Sequence, residues 1–161
     1  MLTTALRLYG KNDLRLESFE LPVIKDNEIM IKVISDSICM STYKAAQQGS
    51  DHKRVPNDVA DHPVIVGHEF SAEIVEVGAK LAGQYRKGQR VSLQPALKGT
   101  YDAAGYTFPY IGGDATYAII PAIYAEQGNV LNYTGDAFFA ASLSEPLSCV
   151  IGAVYACYHT K

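Results

Sequence analysis

The sequence predicts a mainly β fold with a few helices, arranged as a partly open β-barrel. Three observations lead there. Short runs of period-two hydrophobic alternation fill the first third of the chain, as half-buried antiparallel strands require. Glycine and proline punctuate the spaces between apolar runs. Only two segments read as helices.

In chain order, Leu14 and Leu16 alternate with Arg15 and Glu17, and Ile29, Ile31 and Val33 alternate with Met30, Lys32 and Ile34. Leu21-Pro22 and Asp26-Asn27 break these runs as turns. The apolar run from Ile29 ends at Cys39. Ser41–Gln48 then reads as a short helix, with Ser41 suited to cap its start and Gly49 its end. Residues 50–63 mix Asp, His, Lys, Pro and Asn without a period and read as a surface loop. Strands follow over Ile65–Val77 and Arg90–Pro95, the second announced by Gly88. Residues 96–111 form an irregular lobe whose aromatics, Tyr101, Tyr106, Phe108 and Tyr110, suit internal packing, a sugar-binding wall or a subunit contact. Strand Thr116–Ile120 is closed by Pro121. In the last element, Leu143, Leu147, Val150, Ile151, Val154, Tyr155 and Tyr158 recur at helical spacing. The opposite side carries Cys149, Gly152, Ala153, Ala156 and Cys157. A helix apolar nearly all round is expected to be covered on both sides, by the barrel and by a domain outside this chain. Cys149 and Cys157, eight residues apart, read as core residues and not as metal ligands.

A chain of 161 residues suits one domain with a sizeable core. Apolar content of 48% excludes a disordered chain. A net charge of −3 and no basic cluster larger than Lys53-Arg54 argue against a nucleic-acid partner. Three cysteines without framework spacing indicate a reducing compartment, and no apolar run reaches membrane-spanning length. Met1–Gly10 has no signal-peptide core, so a cytoplasmic protein is expected and the sequon at Asn132-Tyr133-Thr134 reads as chance.

Gly67-His68-Glu69 is the most informative motif. It sets a nitrogen and an oxygen donor side by side, and Cys39 offers sulfur from another element. This mixed set suits zinc, and three protein ligands leave a fourth position open for chemistry. The geometry makes a demand. Neighbours in a regular strand point to opposite faces, so His68 and Glu69 reach one ion only if the chain bends, and Gly67 permits a bend. Otherwise Glu69 points to solvent, His68 makes one structural hydrogen bond, and Cys39 packs in the core. His52, His62 and His159 are assigned to no metal.

The wording around this motif resembles a family. Gly67-His68-Glu69-Phe70-Ser71-Ala72-Glu73-Ile74-Val75-Glu76-Val77-Gly78 resembles the signature of zinc-dependent medium-chain alcohol and polyol dehydrogenases. Lys87-Gly88-Gln89-Arg90-Val91 is similar to the family's Gly-Asp-Arg-Val segment. Gly112-Gly113-Asp114-Ala115-Thr116-Tyr117-Ala118-Ile119-Ile120-Pro121 is similar to its Gly-Gly-Phe-Ala-Glu-Tyr segment. Leu143-Ser144-Glu145-Pro146-Leu147-Ser148 resembles the Glu-Pro-Leu segment of the sorbitol dehydrogenase branch, which includes enzymes reducing L-sorbose 1-phosphate.

The resemblance implies a GroES-like catalytic domain over residues 1–161 with one catalytic zinc, its metal set drawn from Cys39, His68, Glu69 and Glu145. It implies catalytic roles for Ser41, Glu69 and Glu145. Ser41 would relay the alcohol proton, or else cap its helix. Glu145 would orient the zinc-bound water or approach the metal, or else complete a capping box, Ser142-Leu143-Ser144-Glu145. The family's Cys-Gly-[Ser/Thr]-Asp segment here reads Cys39-Met40-Ser41-Thr42, so the aspartate that supports a zinc ligand is replaced by Thr42 and ligand orientation must come from elsewhere. Lys44 stands near where some members carry a relay histidine. Residues 96–111 hold no cysteine, so the family's four-thiolate structural zinc is impossible there.

No Gly-x-Gly-x-x-Gly occurs, so the NAD(P)-binding Rossmann domain is expected outside this chain, and the chain alone is expected to be inactive. The implied substrate is a small-molecule polyol or sugar phosphate, and the implied parent is a homo-oligomer without nucleic-acid or membrane partners. A phosphate would need cations, for which Lys44, Lys53 and Arg54 are candidates by position. The alternatives are a metal-free GroES-like barrel with a binding or assembly role and a zinc-independent quinone reductase-like protein.

Overall fold

The computed structural model describes residues 1–158; the Tyr158 side chain and His159 lie outside that description. Eight strands and four helices follow in the order β1 (Leu2–Gly10), β2 (Asp13–Glu20), β3 (Ile29–Asp36), α1 (Met40–Gln48), β4 (Val64–Ile65), β5 (Phe70–Val77), β6 (Arg90–Leu93), β7 (Tyr117–Ile120), α2 (Ala122–Glu126), β8 (Val130–Asn132), α3 (Phe138–Ser142) and α4 (Ser144–Tyr158). The strands form a three-stranded sheet, β2-β1-β4, and a five-stranded sheet, β7-β3-β5-β6-β8. A bridge from Ala5 to Ala115 and a hydrogen bond from Leu6 N–H to the Asp114 carbonyl (2.8 Å) join them, but they do not close into a barrel. The fold is the mainly β, partly open arrangement that the alternation predicts.

Three apolar clusters hold it, a small one of Leu21, Met30 and Ile119 and two main ones. The larger lies under the five-stranded sheet and includes Ile31, Phe70, Ile74, Val91, Ile120 and Tyr124. Each such side chain contributes roughly 1.5–3 kcal/mol by burial. The smaller joins Leu8, Val64 and Val66 to Ala45 and Ala46 of α1 and to Val55 and Val59 of the following loop. Tyr106 belongs to this second cluster and Ala104 to the first, so the 96–111 lobe spans the seam between them.

Several elements differ from the sequence reading. The apolar run 65–77 is two strands, β4 and β5, with a bend between them. β1 was not anticipated: Thr3 takes an inward position, its hydroxyl donating to the Tyr117 carbonyl (2.8 Å), and this disguises the alternation. The largest difference is α4. Leu147, Val150 and Val154 are 58%, 60% and 52% exposed, so the two sheets do not cover this helix. Cys149 and Cys157 are likewise exposed and not core residues. The described residues include no helix long and apolar enough to cross a membrane.

The bend before β5 organises the molecule. Gly67 has φ +85°, and a Cβ there would run into the Asp36 carboxylate and the Asp114 N–H. Backbone bonds lock it: Gly113 N–H to the Gly67 carbonyl (2.8 Å) and Asp114 N–H to the Val66 carbonyl (3.0 Å). A Cβ at Gly113 would strike the same Asp36 carboxylate. Asp36 receives N–H groups from Ser37 and Glu69, yet its Oδ2 is buried without a hydrogen-bond partner among the described residues. Burial, reinforced by the Asp114 charge, pushes Asp36 up to about 7.

Two expectations follow. Gly67→Ala should lower stability by about 2–3 kcal/mol in chemical denaturation, since it adds both strain and a clash; a change within about 0.5 kcal/mol would contradict this packing. Asp36 holds its proton more tightly folded than unfolded. The penalty of its charge is therefore absent below about pH 4 and complete above about pH 7, and stability falls as pH rises through that window. Asp36→Asn should flatten this fall in denaturation midpoints taken at about pH 5 and about pH 8. An unchanged slope would show that the carboxyl is ordinary.

Candidate metal centre

The pairing of β3 with β5 brings the donors together. A bulge between Val33 and Ser35 shifts the register so that Asp36 faces Phe70. The chain leaving β3 then runs beside the chain approaching β5, and Ser37 N–H donates to the Glu69 carbonyl (3.1 Å). Cys39 follows at the start of α1, where its extended backbone (φ −106°, ψ 134°) makes it the N-cap residue. Its side chain is thereby aimed back at the bend.

The result is one compact group. The donor atoms of Cys39, His68 and Glu69 all lie within 4.8 Å of one another. His68 and Glu69 are 6% and 5% exposed, which overturns the solvent-facing alternative for Glu69. His68 Nε2 lies 4.0 Å from Glu69 Oε1, while Ser37 donates a short hydrogen bond to Glu69 Oε2. Burial holds His68 below the usual histidine range, opposed by the Glu69 charge, so the imidazole is neutral and keeps a lone pair to offer. The donors are sulfur, nitrogen and oxygen, held apart by no hydrogen bond among themselves. That chemistry fits a zinc ion.

A ring of hydroxyls surrounds the donors. Ser41 Oγ lies 2.9 Å from Cys39 Sγ and 3.4 Å from His68 Nε2, and it accepts from Tyr106 Oη at 2.8 Å. Ser41 sits inside α1 with no capping bond, so the N-cap alternative is set aside. Tyr106 Oη lies 3.4 Å from His68 Nε2, its ring centroid 4.9 Å from that of His68, and burial pushes its phenol up to about 12. The phenol therefore stays a donor at physiological pH. Because it fills an acceptor site on Ser41, the serine proton is free to point at the donors or at a molecule beside them. Thr42 Oγ1 lies 3.3 Å from His68 Nδ1. Orientation of the histidine thus comes from the very residue that replaces the expected aspartate.

Glu145 reaches the same place from α4. Ser71 Oγ donates to the Phe138 carbonyl (2.7 Å) and Ser92 Oγ lies 3.1 Å from the Ala141 carbonyl, pinning the α3–α4 junction to β5 and β6. The capping box does not form. Ser142 closes α3 and donates to the Phe139 carbonyl (2.9 Å), and Ser144 donates to the Ala141 carbonyl (2.7 Å). Burial pushes the Glu145 carboxyl up; its bond from Cys149 opposes this, and the adjoining Glu69 adds to it by charge and a hydrogen bond. Glu145 lies beside the three-donor group but is not one of its members.

Sequence reasoning gave Tyr106 no role beside the donors, only packing, a sugar-binding wall or a subunit contact with its neighbouring aromatics, and it missed His52. His52 is buried, stacks on Tyr106 at 5.5 Å, and lines with Ser41, His68, Glu145, Lys44 and Arg54 a cavity of about 280 Å³. Neither carries a local pattern that marks it; only tertiary approach of the 50–63 loop and the 96–111 lobe brings them here.

Known proteins share this sequence and this fold. L-Sorbose 1-phosphate reductase of Klebsiella pneumoniae is 53% identical over 161 residues, covering 99% of this chain and 39% of that protein. Mannitol-1-phosphate 5-dehydrogenase of Aliivibrio fischeri is 50% identical over 159 residues, covering 98% of this chain and 38% of that protein. The chain thus spans about two fifths of the length of these relatives. The crystal structure of 2R,3R-butanediol dehydrogenase from Bacillus subtilis superposes with a TM-score of 0.76 at 26% identity, over 95% of this chain and 47% of that one. The alcohol dehydrogenase GroES-like domain matches residues 25–127, a span that holds Cys39, Ser41, His68, Glu69 and Tyr106. With the fold and the donor cluster both in place, the chain belongs to that GroES-like alcohol dehydrogenase family.

Proposed function

We propose that this chain is the metal-binding part of a zinc- and NAD(P)-dependent oxidoreductase that interconverts a sugar alcohol, or its phosphate, and the corresponding ketose. The observation that carries this is the convergence of half-buried Cys39 with buried His68 and Glu69 beside a cavity. The named activities of the two relatives support the substrate class. In this reading the nicotinamide is held by a nucleotide-binding domain of a longer, cytoplasmic, homo-oligomeric parent.

Cys39, His68 and Glu69 would hold the zinc, which when bound supplies Lewis acidity toward an alcohol or ketone oxygen. The chain's own residues do the rest. Thr42 accepts the Nδ1 proton of His68 and so fixes the tautomer that leaves Nε2 free to bind. Ser41 exchanges a proton with the reacting oxygen, and the Tyr106 phenol keeps the serine aimed by donating to it. Ser37 holds one oxygen of Glu69 and leaves the other facing His68. Glu145, protonated more readily than an ordinary carboxyl, holds or releases a proton at the cavity wall.

Elemental analysis tests the reading. Zinc-supplemented chain purified at neutral pH should carry about one equivalent, the usual stoichiometry of a catalytic site. Cys39→Ser should lose it. Wild-type chain without stoichiometric metal would return the metal-free barrel to favour. Thr42→Val should weaken zinc binding about 10- to 100-fold in chelator competition while leaving the fold intact by circular dichroism. Thr42→Ser should restore most of the affinity, and equal affinities in all three proteins would remove Thr42 from the site.

A further inference from the structure

The cavity beside the donors carries an unbalanced charge. Lys44 comes from α1, Lys53 and Arg54 from the loop after it, and all three line the same space as Ser41 and His68. Glu145 is the single carboxylic residue on that lining. Among the described residues none of the three cations is ion-paired with a carboxylate. They also act on one point. After burial, the charges of Arg54, Lys44 and Lys53 are what hold His52 below the usual histidine range.

Lys44 and Lys53 are exposed and Arg54 is half-buried, but all three border the one cavity. Arg54 spends one Nη1 hydrogen bond on the Tyr101 carbonyl (3.2 Å), and its guanidinium lies 5.7 Å from the centroid of Tyr106. Lys53 Nζ stands 4.8 Å from the ring centroid of Tyr101. The Tyr106 ring connects this end to the metal donors, with His52 at 5.5 Å and His68 at 4.9 Å between centroids. Arg54 is therefore linked to His68 through a single ring, that of Tyr106.

We propose that Lys44, Lys53 and Arg54 form the subsite that grips a phosphate ester on the sugar alcohol or ketose whose reacting oxygen faces Cys39, His68 and Glu69. This rests on the polyol oxidoreductase reading and names its substrate class as phosphorylated. Guanidinium donors match phosphate oxygens in pairs, and the two ammonium groups supply mobile point charges. A neutral sugar alcohol would leave three cations facing a cavity with one readily protonated acid, so plain polyols gain little from this wall. His52, neutral, can add one hydrogen bond without a charge of its own.

Calorimetric titration of the zinc-loaded chain with fructose 1-phosphate, fructose and inorganic phosphate tests the subsite. Fructose 1-phosphate should bind at least about tenfold tighter than fructose, the fold-change that one charge-assisted hydrogen bond supplies. It should also bind tighter than inorganic phosphate. Lys44→Gln, Lys53→Gln and Arg54→Gln should each cut the preference severalfold, the triple variant should abolish it, and Arg54→Lys should keep part of it. Zinc content, measured on the same samples, should not change. No preference in the wild type, a preference that survives the triple variant, or inorganic phosphate binding as tightly as the ester would overturn the proposal. The two readings fail separately. Zinc bound without phosphate preference removes the subsite alone, whereas phosphate preference without zinc removes the dehydrogenase chemistry and leaves an anion site.

Discussion

The close approach of the Gly67 bend to the Asp36 carboxyl is the constraint on which the rest of the structure depends. Consecutive strand residues face opposite ways, so two neighbouring donors cannot serve one ion without a break in the strand. Here the break is made by positive φ at Gly67 and held from three directions: the 113–114 backbone, the Asp36 carboxyl, and Gly105, where a Cβ would meet the Gly67 carbonyl. Gly113 and Gly105 are glycines because neighbouring atoms leave no room for a side chain. The stability lost by sealing Oδ2 of Asp36 from partners is the cost of that closeness. It falls where function requires geometry, at the residue whose carboxyl also receives the Glu69 N–H.

Around the bend, hydroxyl groups do the orienting that charges do elsewhere. An aspartate at position 42 would face His68 Nδ1 as an anion; Thr42 faces it as a neutral hydroxyl. The donor group keeps one fewer negative charge nearby. The same economy holds at Tyr106, whose buried phenol donates to Ser41 and cannot ionise in the physiological range. The direction of the hydrogen bonds is therefore set from Tyr106 toward Ser41, and Ser41 is left with a proton to give. A network with a fixed direction can pass a proton at one point only, which is what a relay beside a reacting oxygen needs.

What the sequence made legible was what depends on nearest neighbours. Alternation located β2 and β3, Pro121 bounded β7, and Gly67-His68-Glu69 carried its own geometric demand, which the positive φ meets. Cys39 was legible because thiol, imidazole and carboxylate together narrow the chemistry. The misreadings came from local rules that tertiary contacts override. Ser41 has the right place for a cap, but its hydroxyl finds sulfur and phenol partners. Ser142-Leu143-Ser144-Glu145 has capping-box spacing, but Ser142 already closes α3 and bonds Ser35 at 3.0 Å. Helical periodicity in α4 reports an apolar surface without saying what lies against it, and neither sheet does. Tyr106 and His52 were beyond reach for a different reason: no spacing in sequence encodes the contact of two irregular segments.

Rigidity is distributed across the cavity in a way that separates two kinds of selectivity. The candidate metal donors sit on a strand bend and a helix start, His68 and Glu69 buried and Cys39 half-buried, each fixed by a hydroxyl or backbone group. Lys44 and Lys53 are exposed on α1 and on an irregular loop, where side chains retain freedom. A zinc ion tolerates little error in ligand position, so its donors belong on the rigid elements. A phosphate presents equivalent oxygens and is satisfied by mobile ammonium groups near a fixed guanidinium. Substitution in the 50–54 loop can therefore change which substrate is preferred without disturbing the bend at Gly67, while substitution at the bend disturbs every substrate alike. In the proposed reading, chemistry belongs to the strand bend and the start of α1, and substrate preference to Lys44 and the 50–54 loop, as expected where loops vary on a rigid scaffold.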